Sequence, residues 1–433
     1  MMNTSPHVVQ KGMKAVVIGT GRSGQAAAKL LHSLGASVRI VDRSAEHISE
    51  SFQKIITEYG FETAFGPHSK EQFEGAQLII PSPGVPVLKL AEFLPDNAEV
   101  LAEVELAWSC VSHIPTIAVT GTNGKTTTVR LCEAMLREAG KRVFLGGNIG
   151  TPLSEFVLQQ EDVDVLVLEV SSFQLQTCKH FCPTVGLLLN VTEDHLDYHQ
   201  DMREYFAAKM RMFANMGPEN VALMGEGVLA QIRANAHVMD SINIKVFRDT
   251  GTFADVALKG EHNRLNMEAA FAATSHFGVT LENALAAVER FAASPHTLET
   301  VCNGKGVTFV NDSKATTVDS VRAALESIDS KILLLAGGHY KGGDVSLLNE
   351  LVKQKVRAVG LFGESRKVFE DAWGDLVPCE WHATMEESAA ALMEKAQDGD
   401  VMLLSPATSS FDQYASYKER GEDFVRIARF LCK

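Results

Sequence analysis

The chain has 433 residues, of which 45% are apolar and 22% are charged, and its net charge is −14. The length exceeds one ordinary hydrophobic core and favours a soluble protein of roughly two to four domains. The acidic balance disfavours nonspecific binding to nucleic acid or to an anionic membrane. No apolar run approaches the about 20 residues that span a bilayer. The start of the chain lacks the apolar core of a signal peptide, so we expect a cytoplasmic protein.

The first block of predicted elements has apolar strands at residues 15–18, 37–41 and 78–80. A full G-x-G-x-x-G pattern follows the first strand at residues 19–24, and Asp42 ends the second strand. Such a turn lets backbone N–H groups approach a diphosphate at a helix N-terminus. Taken alone, this pattern is typical of a dinucleotide site. An NAD-dependent oxidoreductase with an appended ATPase domain is therefore one alternative.

Two further blocks repeat the order of apolar strand, glycine-rich turn and helix. Their predicted strands lie at residues 116–119, 163–168, 185–189, 307–310, 332–335, 358–362 and 401–404, with helices over residues 268–291. This repetition predicts α/β architecture with parallel sheets. We expect a Rossmann-like domain at residues 1–102, a central P-loop ATPase-type domain at residues 103–293 and a Rossmann-like C-terminal domain at residues 294–433.

A short phosphate loop, G-x-x-G-K-T, separates the first strand of the second block from a helix. Lys125 would reach the β and γ phosphates of ATP, and the Thr126 hydroxyl would bind Mg²⁺. The predicted ATP contacts of this loop are Gly121, Thr122, Asn123, Gly124, Lys125, Thr126, Thr127 and Thr128.

Acidic and imidazole side chains follow the two neighbouring strands. Glu169 comes directly after four apolar residues and is well placed as a Mg²⁺ ligand. His195 follows the next strand, where a structural role and a functional one are about equally supported. Both positions lie at the carboxyl ends of strands, where ligands bind in parallel sheets.

Several motifs, taken together and in order, resemble the Mur ligases, which build the peptide of bacterial peptidoglycan in the cytoplasm. They lie at residues 121–127, 169–172, 190–197, 260–263 and 311–316. The resemblance runs from about residue 19 to about residue 421. Signatures at residues 82–85, 146–150, 169–175, 404–407 and 410–413 favour the branch of the family that adds D-glutamate.

The resemblance implies an ATP-dependent ligase. ATP phosphorylates the carboxylate of UDP-N-acetylmuramoyl-L-alanine, and the amine of D-glutamate then attacks the acyl phosphate. Two Mg²⁺ sites are implied, one at Thr126 and Glu169 and the other at His195. A related ligase with another acceptor, such as a folylpolyglutamate-type enzyme, is the alternative within the family.

Lys209 lies about 60° from Phe206 on a predicted helix whose apolar stripe also contains Met210 and Phe213. It is thus predicted at the edge of the buried face, where the neutral amine that reacts with CO₂ is favoured. The resemblance implies that Lys209 is carbamylated and assists metal binding. The ordinary alternative is a helix lysine whose ammonium reaches water.

The resemblance also implies contacts to the substrates. For the UDP-sugar substrate they are Gly21, Arg22, Ser23, Asp42, Arg43, Ser82, Gly84, Asn148 and Ser171. For the two carboxylates of D-glutamate they are Lys314, Thr316, Lys341, Ser410, Phe411 and Tyr417. Asn263 would lie beside the adenine of ATP, and Asp312 would contact its ribose or a neighbouring group.

Two positions depart from the family pattern. Thr297 stands where the family usually has an arginine near the ATP phosphates, and Tyr340 stands where many relatives have an acidic residue. A catalytically idle binding protein is disfavoured because Lys125, Glu169, His195 and Lys209 are all present. We expect a monomer without nucleic-acid or membrane partners, whose third domain swings closed on nucleotide binding. The scattered, odd set of seven cysteines predicts free thiols.

Overall fold

The computed structural model describes residues 9–45, 48–196, 198–234, 242–254, 256, 260–291 and 295–433. The chain divides into two compact units. The first unit comprises residues 1–191, 203–248 and 267–287. The second unit comprises residues 192–202, 249–266 and 288–433.

The first unit opens with a parallel sheet of five strands in the order β3-β2-β1-β4-β5 among the described residues. The strands are β1 (Lys14–Ile18), β2 (Ser37–Asp42), β3 (Glu62–Phe65), β4 (Leu78–Pro81) and β5 (Glu99–Val100). The helices are α1 (Arg22–Ser33), α2 (Glu50–Tyr59) and α3 (Glu103–Val111). Because the strand order reverses beside β1, the turns after β1 and β4 open a crevice at the carboxyl edge.

The second sheet of this unit is parallel, with the order β11-β10-β9-β6-β8-β7 in the part of the chain that is described. Its strands are β6 (Thr116–Thr120), β7 (Val143–Gly147), β8 (Val165–Glu169), β9 (Val185–Leu188), β10 (Val221–Gly225) and β11 (Asn243–Phe247). The helices are α4 (Lys125–Glu138), α5 (Leu153–Gln159), α6 (Ser172–Gln176), α7 (Met202–Met210), α8 (Glu226–Ala234), α9 (Glu261–Thr274) and α10 (Leu281–Glu289). Strands β6, β8 and β9 are buried along their whole length, as expected for strands covered on both faces.

The second unit contains a six-stranded sheet in the order β12-β13-β17-β14-β15-β16, counted over its described residues. Its strands are β12 (Glu299–Gly304), β13 (Val307–Asn311), β14 (Ile332–Gly337), β15 (Val356–Phe362), β16 (Cys379–Trp381) and β17 (Val401–Leu404). The helices are α11 (Val318–Ser327), α12 (Asn349–Lys355), α13 (Arg366–Trp373), α14 (Met385–Met393) and α15 (Tyr417–Leu431). Strand β12 runs antiparallel to β13, and the other pairs are parallel. Separate apolar clusters cover the two faces of the sheet.

The predicted α/β class with parallel sheets is confirmed, and every strand predicted from an apolar run is present. The proposed domain boundaries stay predictions. The expectation of free thiols throughout is wrong at one pair, because β12 packs against α15 and Cys302 is bonded to Cys432 with a Cα–Cα distance of 6.9 Å. No helix within the described ranges has both the length and the apolar character that a membrane crossing requires.

Candidate active site

The phosphate loop joins β6 to α4 at the carboxyl edge of the second sheet. Gly124, the residue before α4, has a φ of 83°, a conformation that favours glycine. The Lys125 ammonium folds back on the loop and donates to Gly121 O at 2.9 Å and to Thr122 O at 2.7 Å. These carbonyl contacts hold the ammonium beside the helix N-terminus, where an incoming phosphate would meet it.

Asn190, which follows β9, fixes the same loop from the neighbouring strand. Its Oδ1 accepts the backbone N–H groups of Thr122 at 3.1 Å and Asn123 at 2.9 Å, and its Nδ2 donates to Asn123 O at 3.2 Å. One side chain therefore sets the direction of successive peptide groups in the loop. Sequence reasoning quoted this asparagine within a motif but gave it no role.

A carboxylate and a hydroxyl converge at the end of β8. Thr126 Oγ1 donates to Glu169 Oε2 at 2.7 Å, and Asn148 Nδ2 donates to Glu169 Oε1 at 3.0 Å. Glu169 is only 2% exposed, so its carboxylate is fixed rather than solvated. Mg²⁺ takes one or two protein oxygens and completes its shell with water and substrate phosphates. The donor set at Thr126 and Glu169 fits that requirement.

Lys209 is buried beside the phosphate loop and contacts its backbone. It is 1% exposed, and its Nζ donates to Gly121 O at 2.8 Å. The Tyr205 ring lies 4.4 Å from Lys209 Nζ, and the Tyr205 hydroxyl is 3.1 Å from Thr122 Oγ1. The side chain therefore points into the site and does not extend to water. Sequence reasoning missed Tyr205, although its spacing of four residues from Lys209 on α7 is a usable signal.

The glycine turn after β1 is closely packed. A Cβ on Gly24 would lie 2.0 Å from Gly19 O, so position 24 cannot accept a larger residue without rearrangement. Asp42 Oδ2 accepts both the backbone N and the Oγ1 of Thr20, each at 2.8 Å. Ser82 Oγ is buried and has no hydrogen-bond partner within the described residues. That unpaired hydroxyl is available to a ligand at this turn.

Arg22 connects the glycine turn to the loop that follows β7. Its guanidinium donates to Gly150 O at 2.9 Å and pairs with Glu155 at 3.3 Å. Asn148 lies on the same loop, so two of the predicted substrate regions are in contact within the first unit. Of the remaining predicted residues here, Ser171 caps α6, Ser23 is half-buried, and Gly21, Arg43 and Gly84 are exposed.

His195 and Lys341 lie in the second unit and share one carboxylate. Asp194 Oδ2 is 3.3 Å from His195 Nε2, and Asp194 Oδ1 is 3.7 Å from Lys341 Nζ. The carboxylate side chain is 9% exposed and the lysine side chain 17% exposed. Sequence reasoning did not assign Asp194 a role, because nothing in the sequence shows that it meets residue 341.

Asp312 is a buried carboxylate at the end of β13. It accepts Ser405 Oγ at 2.8 Å and the backbone N of Leu298 at 3.2 Å. Burial raises the pKa of Asp312 to about 7, although the two hydrogen bonds and nearby Lys314 act in the opposite direction. The group therefore changes charge close to neutral pH.

The remaining predicted acceptor residues follow β13 and β17, and a buried arginine connects those loops. Arg420 is fully buried and donates to Ser313 O, Thr408 O and Ser409 O at 2.9, 3.0 and 3.2 Å. Burial lowers the pKa of Arg420 to about 10. Sequence reasoning missed this residue. Ser410 is buried, Phe411 is 74% exposed, Lys314 and Thr316 follow β13, Tyr417 begins α15 and Asn263 lies in α9.

Three stretches of the chain match domains of one family. Residues 13–99 match the Mur ligase MurD-like N-terminal domain, residues 119–237 the Mur ligase middle domain, and residues 298–408 the Mur ligase glutamate ligase domain. With an ATP-type phosphate loop and a fixed carboxylate on parallel sheets, the chain belongs to the Mur ligase family. The resemblance seen in the sequence is thereby confirmed. The N-terminal match also places the glycine turn in a ligase domain, which removes the support for an oxidoreductase.

The relatives that match nearly the whole chain carry one enzyme name. A UDP-N-acetylmuramoylalanine--D-glutamate ligase of Oleidesulfovibrio alaskensis is 52% identical over 424 residues, covering 96% of this chain and 94% of that protein. A protein of the same name from Nitratidesulfovibrio vulgaris strain DP4 is 51% identical and covers 98% of both chains. One from Geotalea uraniireducens is 38% identical, covering 96% of this chain and 97% of that one.

Solved structures of more distant sequence share the fold. MurF from Acinetobacter baumannii aligns with a TM-score of 0.62 at 16% identity, covering 95% of this chain and 93% of that one. MurF ligase from Thermotoga maritima, solved in complex with ADP, aligns with a TM-score of 0.58 at 17% identity, covering 100% of this chain and 95% of that one. The predicted three-domain architecture is confirmed at the level of the fold, whereas the individual site residues stay predictions.

The contacts of Asn190 predict a defect in nucleotide binding when its amide is removed. Asn190→Ala removes the side-chain acceptor of Thr122 N and Asn123 N, although Thr122 N keeps the backbone O of residue 190 at 3.0 Å. We expect the KM for ATP to rise by about 10-fold or more. Steady-state kinetics with varied ATP measures this. Asn220→Ala is the matched control, because Asn220 makes equivalent bonds to Gly217 N and Pro183 O near the start of β10. An equal rise in both variants would contradict a specific role for Asn190.

The raised pKa of Asp312 predicts a pH-dependent change in stability. The folded state keeps the proton up to about pH 7, whereas the unfolded state loses it near 3.8. Stability therefore falls as pH rises through this window. Asp312→Asn does not lose stability in this way. The thermal midpoint of the variant minus that of wild type should therefore increase between about pH 5 and about pH 8. Asp329→Asn, at an exposed position, is the matched control. A difference that stays constant for Asp312→Asn would contradict the prediction.

Proposed function

We propose that this chain is the ADP-forming ligase that adds D-glutamate to UDP-N-acetylmuramoyl-L-alanine in peptidoglycan precursor synthesis. The observation that carries the proposal is the phosphate loop, whose Lys125 and Thr126 lie at the same carboxyl edge of the sheet as Glu169. The choice of acceptor rests on the relatives that share about half of their residues with this chain and bear that enzyme name.

The first step transfers the γ-phosphoryl group of ATP to the alanyl carboxylate. The carboxylate oxygen forms a bond to the γ-phosphorus, the bond between that phosphorus and the β–γ bridging oxygen breaks, and ADP leaves. Lys125 exchanges its two carbonyl contacts for phosphate oxygens. It stabilises the negative charge on the phosphoryl group during the transfer. Thr126 and Glu169 would hold Mg²⁺, which supplies positive charge against the phosphates. We assign His195 to a second Mg²⁺.

Lys209 is proposed to react with CO₂ through its neutral amine. The amine nitrogen bonds to the carbon of CO₂ and releases one proton, which leaves an anionic carbamate. The Lys209 amine is buried beside the phosphate loop, with its Nζ 2.8 Å from Gly121 O. The resulting carboxylate-like oxygens would assist in holding a metal near the phosphate loop.

The second step joins the amino acid to the acyl phosphate. The D-glutamate nitrogen bonds to the acyl carbon, the bond from that carbon to the phosphate oxygen breaks, and inorganic phosphate leaves as the nitrogen loses its proton. Lys314, Thr316 and Lys341 would bind one carboxylate of D-glutamate. The second carboxylate would be bound by Ser410, Phe411 and Tyr417.

The UDP-sugar substrate is assigned to the first unit. The glycine turn at Gly21, Arg22 and Ser23 would bind the diphosphate, and the unpaired Ser82 hydroxyl supports that assignment. We assign the uracil to Asp42, Arg43 and Gly84, and the muramoyl group to Asn148 and Ser171. Asn263 would lie beside the adenine of ATP, and Asp312 would contact its ribose or a neighbouring group. We expect the chain to act as a monomer.

An amino-acid panel tests the proposed reaction. Purified protein with ATP, Mg²⁺ and UDP-N-acetylmuramoyl-L-alanine should release ADP and phosphate and form the coupled product only when D-glutamate is present. L-Glutamate, D-aspartate, D-alanine and L-lysine are the comparison acceptors. Product formed from another member of the panel, and not from D-glutamate, would overturn the assigned acceptor.

Replacing Lys209 by arginine separates a carbamate from a simple cation. Lys209→Arg keeps the positive charge but cannot form the carbamate, so we expect kcat to fall by at least about 100-fold, the scale of losing one charge-stabilising group. Lys245→Arg, at an exposed lysine, is the matched control and should retain activity. A carbamate carbon signal from ¹³CO₂ should be present in wild type and absent from Lys209→Arg. Equal signals in both proteins would contradict the assignment.

A further inference from the structure

Asp194 contacts His195 and Lys341, two residues to which the proposed function assigns a role. Its Oδ1 accepts the backbone N of His195 at 2.8 Å, and its Oδ2 lies 3.3 Å from the Nε2 of the His195 ring. Its Oδ1 is also 3.7 Å from Lys341 Nζ. One carboxylate of the second unit thus lies between the proposed metal-site histidine and a proposed acceptor lysine.

The backbone conformation at His195 shows that the position of this carboxylate is constrained. His195 has a φ of 58°, in the left-handed region that is costly for residues other than glycine. The bond from His195 N to Asp194 Oδ1 stabilises this conformation locally. Because the Asp194 side chain is only 9% exposed, few other positions are open to it.

Lys341 has a long side chain on a loop that allows much backbone freedom. Gly342 and Gly343 follow it directly with φ values of 108° and 98°. Ordering a lysine side chain costs conformational entropy on the order of 1–2 kcal/mol. The Asp194 carboxylate, 3.7 Å from Lys341 Nζ, restricts the position of the ammonium. At this distance it does not form a short hydrogen bond that would occupy an N–H donor of the ammonium. An ammonium has three N–H donors, so it can still bind a substrate carboxylate.

We propose that Asp194 is a positioning residue for the amino-acid acceptor, because it holds the Lys341 ammonium in place from a turn that is fixed by its bond to His195 N. This inference rests on the proposed function. Lys341 is then ordered before the acceptor arrives, so the binding energy of the acceptor carboxylate is not spent on ordering the side chain.

The asparagine variant tests the charge while keeping the local turn. Asp194→Asn retains an oxygen that can accept from His195 N but loses the ion pair to Lys341. We expect the KM for D-glutamate to rise by about 10-fold with the KM for ATP unchanged. Asp194→Glu, which restores the charge, should recover part of that loss. Glu193→Gln is the matched control, because it makes the same chemical change one residue earlier at an exposed position.

Three results would overturn the inference. A fall in the KM for D-glutamate would mean that Asp194 competes with the acceptor for Lys341. Wild-type kinetics in Asp194→Asn, with a lowered thermal midpoint in Asp194→Ala, would mean that Asp194 supports only the turn. A change confined to the Mg²⁺ or ATP dependence would make Asp194 part of the nucleotide site. Failure of the wild-type protein to couple D-glutamate would instead remove the proposed function.

Discussion

Two lysine side chains donate to one backbone oxygen beside the phosphate loop of the first unit. Lys125 and Lys209 donate to Gly121 O at 2.9 and 2.8 Å, and the Lys209 side chain is excluded from water. Two charged amines at one carbonyl would repel each other unless negative charge were close, and a polyphosphate would supply that charge. The same requirement explains why Glu169 is held at the edge of the phosphate loop. The carbamate proposed for Lys209 would remove that repulsion.

The parallel sheets explain how residues far apart in the sequence reach these positions. Strands β6, β8 and β9 are neighbours in the second sheet, so the residues that follow them meet at one edge. This is why Gly121, Glu169 and Asn190 meet although they belong to three separate segments of the chain. The third sheet repeats the arrangement, since the residues after β13, β14 and β17 include Asp312, Lys341 and Ser410. The proposed nucleotide and acceptor sites therefore both lie at the carboxyl edge of a mainly parallel sheet.

The sequence predicted the interior of each sheet better than its edges. Strands such as β8 and β14 are buried on both faces and read as continuous apolar runs. The edge strands β3, β5, β7, β11, β12 and β16 were not predicted, and neither was the internal strand β10. Several edge strands are short or partly exposed, as in the polar sequence of β3, so their residues carry no continuous apolar signal. Cys302 lies on the edge strand β12 and is bonded to Cys432, which is 130 residues away in the sequence, so the spacing of the cysteines did not indicate the pair.

Some polar residues at strand ends are proposed to contact a ligand and others hold a loop, and the sequence does not separate the two groups. Asn190 holds the phosphate loop through three hydrogen bonds, whereas Asn148 reaches Glu169 from a loop assigned to the substrate. Asp42 combines the two, because its Oδ2 fixes the turn at Thr20 while the proposed function also assigns the residue to the uracil. These residues are similar in type, and all of them lie at or just after the end of a strand. What differs is the partner, and the partner lies 22 residues away for Asp42 and 67 or 68 residues away for Asn190. The residues proposed to contact ligands are thus recognisable as a pattern along the chain. The residues that keep them in place become visible only once the sheets bring their partners together.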